Sequence, residues 1–480
     1  MAVDKAEMYQ KMCADIDAAT HVDLNFDTVK RAFLYGGQLP CTFYYISGFG
    51  NNEIIERLLF YMLQNKDGAR LALDDGNAFL KVLMPYAVFR QSNDIKDLLY
   101  ALYSGNSVLV VEGFADYVII DTRKYPARGI EEPAKDKVLR GSREGFVEAL
   151  LTNSALIRRR IRDPRLIFKH MTVGQSTATD ILVCYMDHLA DKEYVEKIIK
   201  KIGSIKVDGL NLGQESLSEL LIDNKWYNPF PKVRYTERPD AASSMLMEGS
   251  VIILCDNDSS AMILPTSIFD FMQDTDDFYF PPLIGGYMKL VHNLVFLASL
   301  VLTPIWYTLQ QMPQLLPPSL DFLLYEGESF LPLLLQLLLF EFAVDGLKLA
   351  SLNTPDTLSN SLSVISALIL GDLAISVGWL SEQILLYMAF VAIASFTQPS
   401  YELGYAFKFM RIITLVLISL FSYVGLIMGM LLTVVLVVTN SSLCGKRGYL
   451  YPLIPFNRRA FVRTVLRVRL KGENCLQKRN

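Results

Sequence analysis

The sequence is poorly equipped for metal or redox chemistry. Its six cysteines (Cys13, Cys41, Cys184, Cys255, Cys444, Cys475) form no CxxC pair, and its four histidines (His21, His170, His188, His292) show no ligand spacing. No disulfide framework or zinc site is expected, and the thiols read as reduced and mostly buried. His292, among apolar residues, reads as a packed or interfacial histidine rather than a ligand. A phosphate loop, GxGxxG, GxSxG and HExxH are absent as well, so no catalytic constellation, metal or cofactor is signalled, and an enzyme is the weakest reading. The N-terminus carries scattered acids and no apolar core, which argues against a cleavable signal peptide and for a first part that stays in the cytosol.

The most telling shortage is of basic side chains. With 51% hydrophobic and 20% charged residues among 480, the chain is not disordered, but its net charge of -4 conceals unlike parts. Residues 1–285 hold 32 Lys/Arg against 40 Asp/Glu, a balance of -8, and residues 286–480 hold 14 against 10, a balance of +4. Within 289–445 the basic residues are Lys289, Lys348, Lys408 and Arg411, whereas 446–480 hold ten. A soluble domain is not so bare of lysine. The charge map therefore predicts two cytosolic α/β subdomains (1–165 and 166–285), an α-helical polytopic membrane domain (286–445) and a basic cytosolic tail (446–480).

In the first part, β-branched apolar runs recur between helical patterns, the signal for α/β units. Strands are predicted at 43–47, 108–112, 117–121, 181–185 and, as a hairpin across a polar turn, at 251–256 and 260–264. Helices are predicted at 53–63, 145–160, 191–202 and 216–222. In 191–202, Tyr194, Val195, Ile198, Ile199 and Ile202 follow the i, i+3, i+4 rule while lysines and glutamates cover the other side. The polar stretch 121–143 reads as a long connection. The acidic group Asp256, Asp258, Asp270, Asp274, Asp276 and Asp277 lacks an EF-hand loop's spaced ligands and central glycine, so it reads as a solvated turn and linker. The arginine run at 157–165 could hold nucleic acid or anionic lipid, but the favoured reading is a helix C-terminus whose cations complement the macrodipole. No nucleic-acid partner is expected.

In the second part, residues 288–309 are long and apolar enough to cross a bilayer, with Tyr287 and Lys289 at the entrance and Trp306 and Tyr307 as interfacial anchors near the exit. The loop 310–329 has no Lys or Arg but carries Asp321, Glu326 and Glu328, which puts it on the far side. Four more apolar segments follow, at 330–350, 362–380, 384–396 and 412–438. Five crossings would export the basic tail, so about four spans are expected, with either 330–350 or 384–396 as a re-entrant or interfacial segment. Both termini would then be cytoplasmic.

Intramembrane charged candidates are Glu341, Asp345, Lys348, Asp372 and Glu402. Glu341, Asp345 and Lys348 recur at spacings of four and three. Either an acid pairs with Lys348 merely to quench charge, or the triplet belongs to an ion pathway. Between 357 and 371, small and polar residues recur helically: Thr357, Asn360, Ser361, Val364, Ala367 and Gly371. Such a face lets helices pack closely. Round an axis of several copies it would line a pore, with Val364 as a dewetting constriction.

Several motifs carry a resemblance. They are Ser142-Arg143-Glu144-Gly145-Phe146 with Thr152-Asn153 and the arginines up to Asp163-Pro164-Arg165, then Asn228-Pro229-Phe230-Pro231, Thr236-Glu237-Arg238-Pro239-Asp240, Glu248-Gly249, and Pro399-Ser400-Tyr401-Glu402-Leu403-Gly404. Spread in order over residues 40–460, they make the chain similar to the GerA family of spore germination proteins, in particular its A subunits. The resemblance implies a multi-pass protein of the spore inner membrane that assembles as a homo-oligomeric ring beside other germination subunits. It implies release of monovalent cations through a ligand-gated channel, makes Arg158, Arg159, Arg160 and Arg162 candidates for subunit contact, and makes the 357–371 face the first choice of pore lining. A scaffold that positions other germination proteins without conducting is the alternative. A secondary transporter fits less well, for lack of an inverted repeat.

Overall fold

The computed structural model describes residues 2–64, 88–125, 142–222, 227–273, 280–325, 330–353, 374–440 and 449–465. They fall into two compact units. Residues up to 224, with 233–265, form a sheet-containing unit, and 225–232 with 266–469 form a helical one.

In the first unit the order is α1 (Ala2–Thr20), β1 (Thr28–Tyr35), β2 (Leu39–Ile46), α2 (Asn52–Gln64), β3 (Phe89–Ser92), α3 (Ile95–Tyr103), β4 (Ser107–Val111), β5 (Tyr117–Ile120) and α4 (Leu150–Arg160). It continues with β6 (Leu166–Val173), β7 (Thr179–Met186), α5 (Lys192–Gly203), α6 (Gln214–Leu221), β8 (Arg234–Thr236), α7 (Pro239–Met247), β9 (Val251–Cys255) and β10 (Ala261–Leu264). The strands make two five-stranded sheets, β1-β2-β4-β5-β3 and β6-β7-β9-β10-β8, with every ladder antiparallel. The two orders are the same when counted from each sheet's first strand. One topology therefore occurs twice, a relationship with no counterpart in a visible sequence repeat.

Both faces of the first sheet are covered. Cys41, Phe43, Leu109 and Val111 point to one side, where Ile55, Leu58 and Met62 of α2 pack. Tyr44, Ile46, Val108 and Val110 point to the other, under Met12, Cys13 and Ile16 of α1 and Leu98 and Leu102 of α3. Strand alternation assigns successive residues to opposite faces, so a strand buried on both sides reads as an apolar run, as β4 does from Val108 to Val111. In the second sheet, Leu156 and Ile157 of α4 and Ala242 and Leu246 of α7 cover Phe168, Leu182, Cys184, Ile252 and Ile263. Helix α5 buries Tyr194, Val195, Ile198 and Ile202, and Asp191 caps it by accepting from the amides of Glu193 and Tyr194.

The helical unit contains α8 (Pro282–Gln311), α9 (Leu333–Asn353), α10 (Glu382–Phe396), α11 (Tyr401–Phe421), α12 (Tyr423–Thr439) and α13 (Arg458–Val465). By length and composition α8 and α11 are able to cross a membrane, while α10 and α12 are apolar but shorter. Two expectations are corrected. Residues 412–438 are not one rod, because the chain reverses at Ser422, with φ 52°, and α12 packs back along α11. That approach requires glycine: a Cβ on Gly425 would strike the Leu417 carbonyl, and one on Gly429 would lie 2.5 Å from Thr414 Oγ1. Trp306 and Tyr307 are buried inside the unit rather than displayed as anchors. Trp306 packs at a tilt against Tyr387, ring centroids 4.7 Å apart, and donates to the Leu323 carbonyl at 3.0 Å.

Candidate functional site

A buried charge network lies where α8, α9, α10 and α11 meet. Glu341 of α9 is 3% exposed and faces Arg411 of α11, whose Nη2 is 2.6 Å from Glu341 Oε1 and whose Nε donates to the same oxygen at 2.7 Å. Lys408, one turn earlier on α11, reaches Glu341 Oε2 at 3.1 Å, Asp345 Oδ2 at 2.6 Å and the Glu341 carbonyl at 2.8 Å. Arg411 Nη1 also donates to the carbonyl of Ser299 on α8, and Gln398 donates to Ser299 Oγ at 3.2 Å. Helix spacing explains the match. Residues 341 and 345 on α9, and 408 and 411 on α11, each lie one turn apart on a single face, so two acids and two bases meet as facing pairs.

Lys348 lies on the same face. Its ammonium sits 4.9 Å from the Phe396 ring centroid and 5.5 Å from that of Tyr405, over the electron-rich faces. The sequence left Glu341 or Asp345 to pair with Lys348. In the structure the acids of the triplet bridge instead to Lys408 and Arg411, across two helices rather than along one. Among the described residues the group holds three cations and two carboxylates. It borders a cavity of about 20 Å³, room for a single water, lined among others by Ser299, Glu341, Gln398, Tyr405, Lys408 and Arg411.

Of the remaining charged candidates, one is described. Glu402 is exposed in the first turn of α11, where a carboxylate complements the helix dipole, and Ser400 caps that helix through the Leu403 amide at 3.3 Å. Asp372 and the pore candidates Thr357, Asn360, Ser361, Val364 and Ala367 lie outside the described residues. Lys408 and Arg411 were missed as partners. The available signal was their three-residue spacing in a stretch almost without basic residues, which forces any buried acid to find them.

The arginine run does close a helix, with Arg158, Arg159 and Arg160 in the last turn of α4, but one of its members is not solvated. Arg158 is not at a solvated helix end or on a contact surface, since it is fully buried. It forks onto Asp27 at 2.7 and 3.1 Å, donates to the carbonyls of Asp163 and Leu166, and lies between the rings of Tyr103 (4.9 Å) and Phe168 (4.5 Å). Arg159 and Arg160 both bind Glu144, at 3.0 and 2.9 Å, and Arg162 reaches Ser104 at 3.4 Å. Those three are at least partly exposed and stay available to a partner.

The motif residues turn out to be joints of the fold. Asn153 exchanges hydrogen bonds with the backbone of Val147, and the Phe146 amide donates to the Glu237 carbonyl at 2.8 Å. Arg238, 1% exposed, binds Asp240 at 2.6 Å. Asn228 donates to the Leu436 carbonyl at 3.1 Å, and Phe230 meets Phe407 edge-on at 5.9 Å, tying 227–232 to α11 and α12. Gly249 adopts φ 90° where a Cβ would lie 2.9 Å from the Leu189 carbonyl. Of the acidic group, Asp256 accepts from the Leu150 amide, Asp258 from those of Gln214 and Ser260, and Asp270 closes a capping box with Ser267. Asp274, Asp276 and Asp277 lie outside the described residues.

Comparison with known proteins agrees with these motifs. Residues 16–478 match the family described as Bacillus/Clostridium GerA spore germination protein. The chain is 40% identical over 369 residues to stage V sporulation protein AF of Bacillus subtilis (strain 168), spanning 77% of this chain and 74% of that one. It is 27% identical over 435 residues to spore germination protein KA of the same organism, spanning 88% and 78%. Among solved structures, the crystal structure of the N-terminal domain of the A subunit of the Bacillus megaterium spore germinant receptor GerK3 aligns at 27% identity and a TM-score of 0.41, covering 52% of this chain and 92% of that one.

Proposed function

The chain belongs to the GerA family of spore germination proteins, and from that premise we propose that it is a membrane-embedded subunit of an oligomeric cation channel that promotes ion release at germination. Several copies in a ring would line the pore with Thr357, Asn360, Ser361, Val364 and Ala367. The chain would sit in the spore inner membrane with both termini cytoplasmic and about four crossings, beside other germination subunits.

The observation that carries this reading is the clamp on α9. That helix is described as far as Asn353, four positions before Thr357 in the sequence, and three ion pairs (Glu341 to Arg411, Glu341 to Lys408, Asp345 to Lys408) hold it to α11. A pore segment needs a fixed origin if it is to open and close as a unit. Buried charges in a membrane unit are expensive and are retained where they serve function. Cysteines at Thr357, Val364 and Ala367, probed with thiol reagents in proteoliposomes, test the assignment: altered cation flux supports it, and flux unchanged at all three positions refutes it.

One observation favours the non-conducting scaffold. Among the described residues, both carboxylates of the interior network already carry cationic partners, which leaves a permeant cation little to attract it. A scaffold gives no flux from liposomes at all.

A further inference from the structure

The second unit ends in an element whose chemistry matches a bilayer surface. After Tyr449, which is buried and whose carbonyl accepts from the Ile268 amide at 2.9 Å, the chain exposes Leu453 (39%), Ile454 (58%) and Phe456 (66%) before entering α13. Asn457 caps α13 by accepting from the Ala460 amide at 3.2 Å. Its first turn contains Arg458 and Arg459 and no acid, with Arg463 one turn on. That is the wrong charge for a helix N-terminus, where the dipole favours anions. Residues 449–465 contain no Asp or Glu with which to correct it.

The packing of this element within the helical unit bears on where an anion could come from. Phe461 packs edge-on against Phe269 at 6.5 Å and at a tilt against Phe456 at 6.1 Å, and α13 packs on α8. Near the start of α8, Leu283 and Tyr287 are themselves exposed, at 86% and 64%. The element therefore packs on a helix long and apolar enough to cross a membrane, showing apolar side chains beside Arg458. Interfacial segments combine these two features, and their affinity grows with buried apolar area plus attraction to anionic lipid.

We propose that residues 449–465 dock on the anionic surface of the bilayer that α8 enters. Ile454 and Phe456 enter the acyl boundary, and Arg458 meets lipid phosphates. This holds whether or not the protein conducts.

The test is hydrogen exchange across 449–465 in the full chain, reconstituted in nanodiscs of phosphatidylcholine alone or mixed with phosphatidylglycerol. Exchange should slow at least about tenfold with phosphatidylglycerol and recover toward the phosphatidylcholine rate in 1 M salt, where the screening length shrinks to about 3 Å. The variants Arg458→Glu, Arg459→Glu and Arg463→Glu combined, and Ile454→Ser with Phe456→Ser, should each lose the lipid-dependent slowing. Equal exchange in both lipids at low and high salt overturns the proposal, whether the segment is then covered by a second copy or by nothing. That comparison uses the unmodified chain and does not depend on the variants folding.

Discussion

Arg158 and Asp27 lie 131 positions apart in the chain, and in the fold Arg158 Nε donates to Asp27 Oδ2 at 2.7 Å with both side chains almost wholly buried. The pair joins the approach to β1 to the end of α4 and the start of β6, so it fixes the first sheet against the second. Removing one partner of a buried pair strands the other charge. Arg158→Ala or Asp27→Ala should each cost about 3–5 kcal/mol, whereas Arg158→Met with Asp27→Leu should recover much of that. Fluorescence-monitored unfolding of the detergent-solubilised chain decides it, and a loss below about 0.5 kcal/mol for the single variants would mean the pair contributes nothing.

The α9–α11 clamp makes a similar prediction with a different readout. Glu341→Ala leaves Arg411 buried without its carboxylate and should destabilise by about 3–5 kcal/mol, visible as a lower thermal midpoint in micelles. Asp345→Ala, with a partly exposed carboxylate, should lose less. Equal effects would show that Glu341 holds no special place in the network.

Gly429→Leu should separate α11 from α12, because the added side chain must displace Thr414. Overpacking a tight interface costs about 1–3 kcal/mol. Spin labels near the two helices' midpoints would move apart, and an unchanged distance would remove the glycine argument.

Burial pushes the Cys41 and Cys255 thiols up from 9.0 to about 12. Both stay protonated in the folded chain at pH 8, so neither should react with maleimide until the protein unfolds. The sign of the linkage follows. Between pH 9 and 12 the unfolded thiols ionise and the folded ones do not, so stability is complete below pH 9 and falls above it, by about 1.4 kcal/mol per pH unit for each thiol. Rapid labelling of the native chain at these two positions would contradict the burial.

Six strands were legible in the sequence, and the reason lies in their neighbours. β2, β4, β5, β7, β9 and β10 are the interior strands, buried on both faces, and read as apolar runs. β1, β3, β6 and β8 are the sheet edges. Lys30 and Arg31 in β1, or Lys169 and His170 in β6, interrupt the run because an edge strand can keep polar side chains in water. In the helical unit, hydropathy saw 412–438 as one segment because it is blind to a tight turn at a serine. The pair Gly425 and Gly429, four residues apart, was the signal for close helix packing. The acids of the network were visible as misplaced charges, but their partners sit some seventy positions away, beyond any local pattern. Arg158 was hidden for the opposite reason, since a run of arginines reads as a surface.

Cation flux tests the central claim most directly. Purified chain in liposomes loaded with potassium should release it faster than empty liposomes, and in a background without other reactive cysteines a thiol reagent should block the Val364→Cys variant. Release no faster than from empty liposomes would contradict the channel and leave the scaffold.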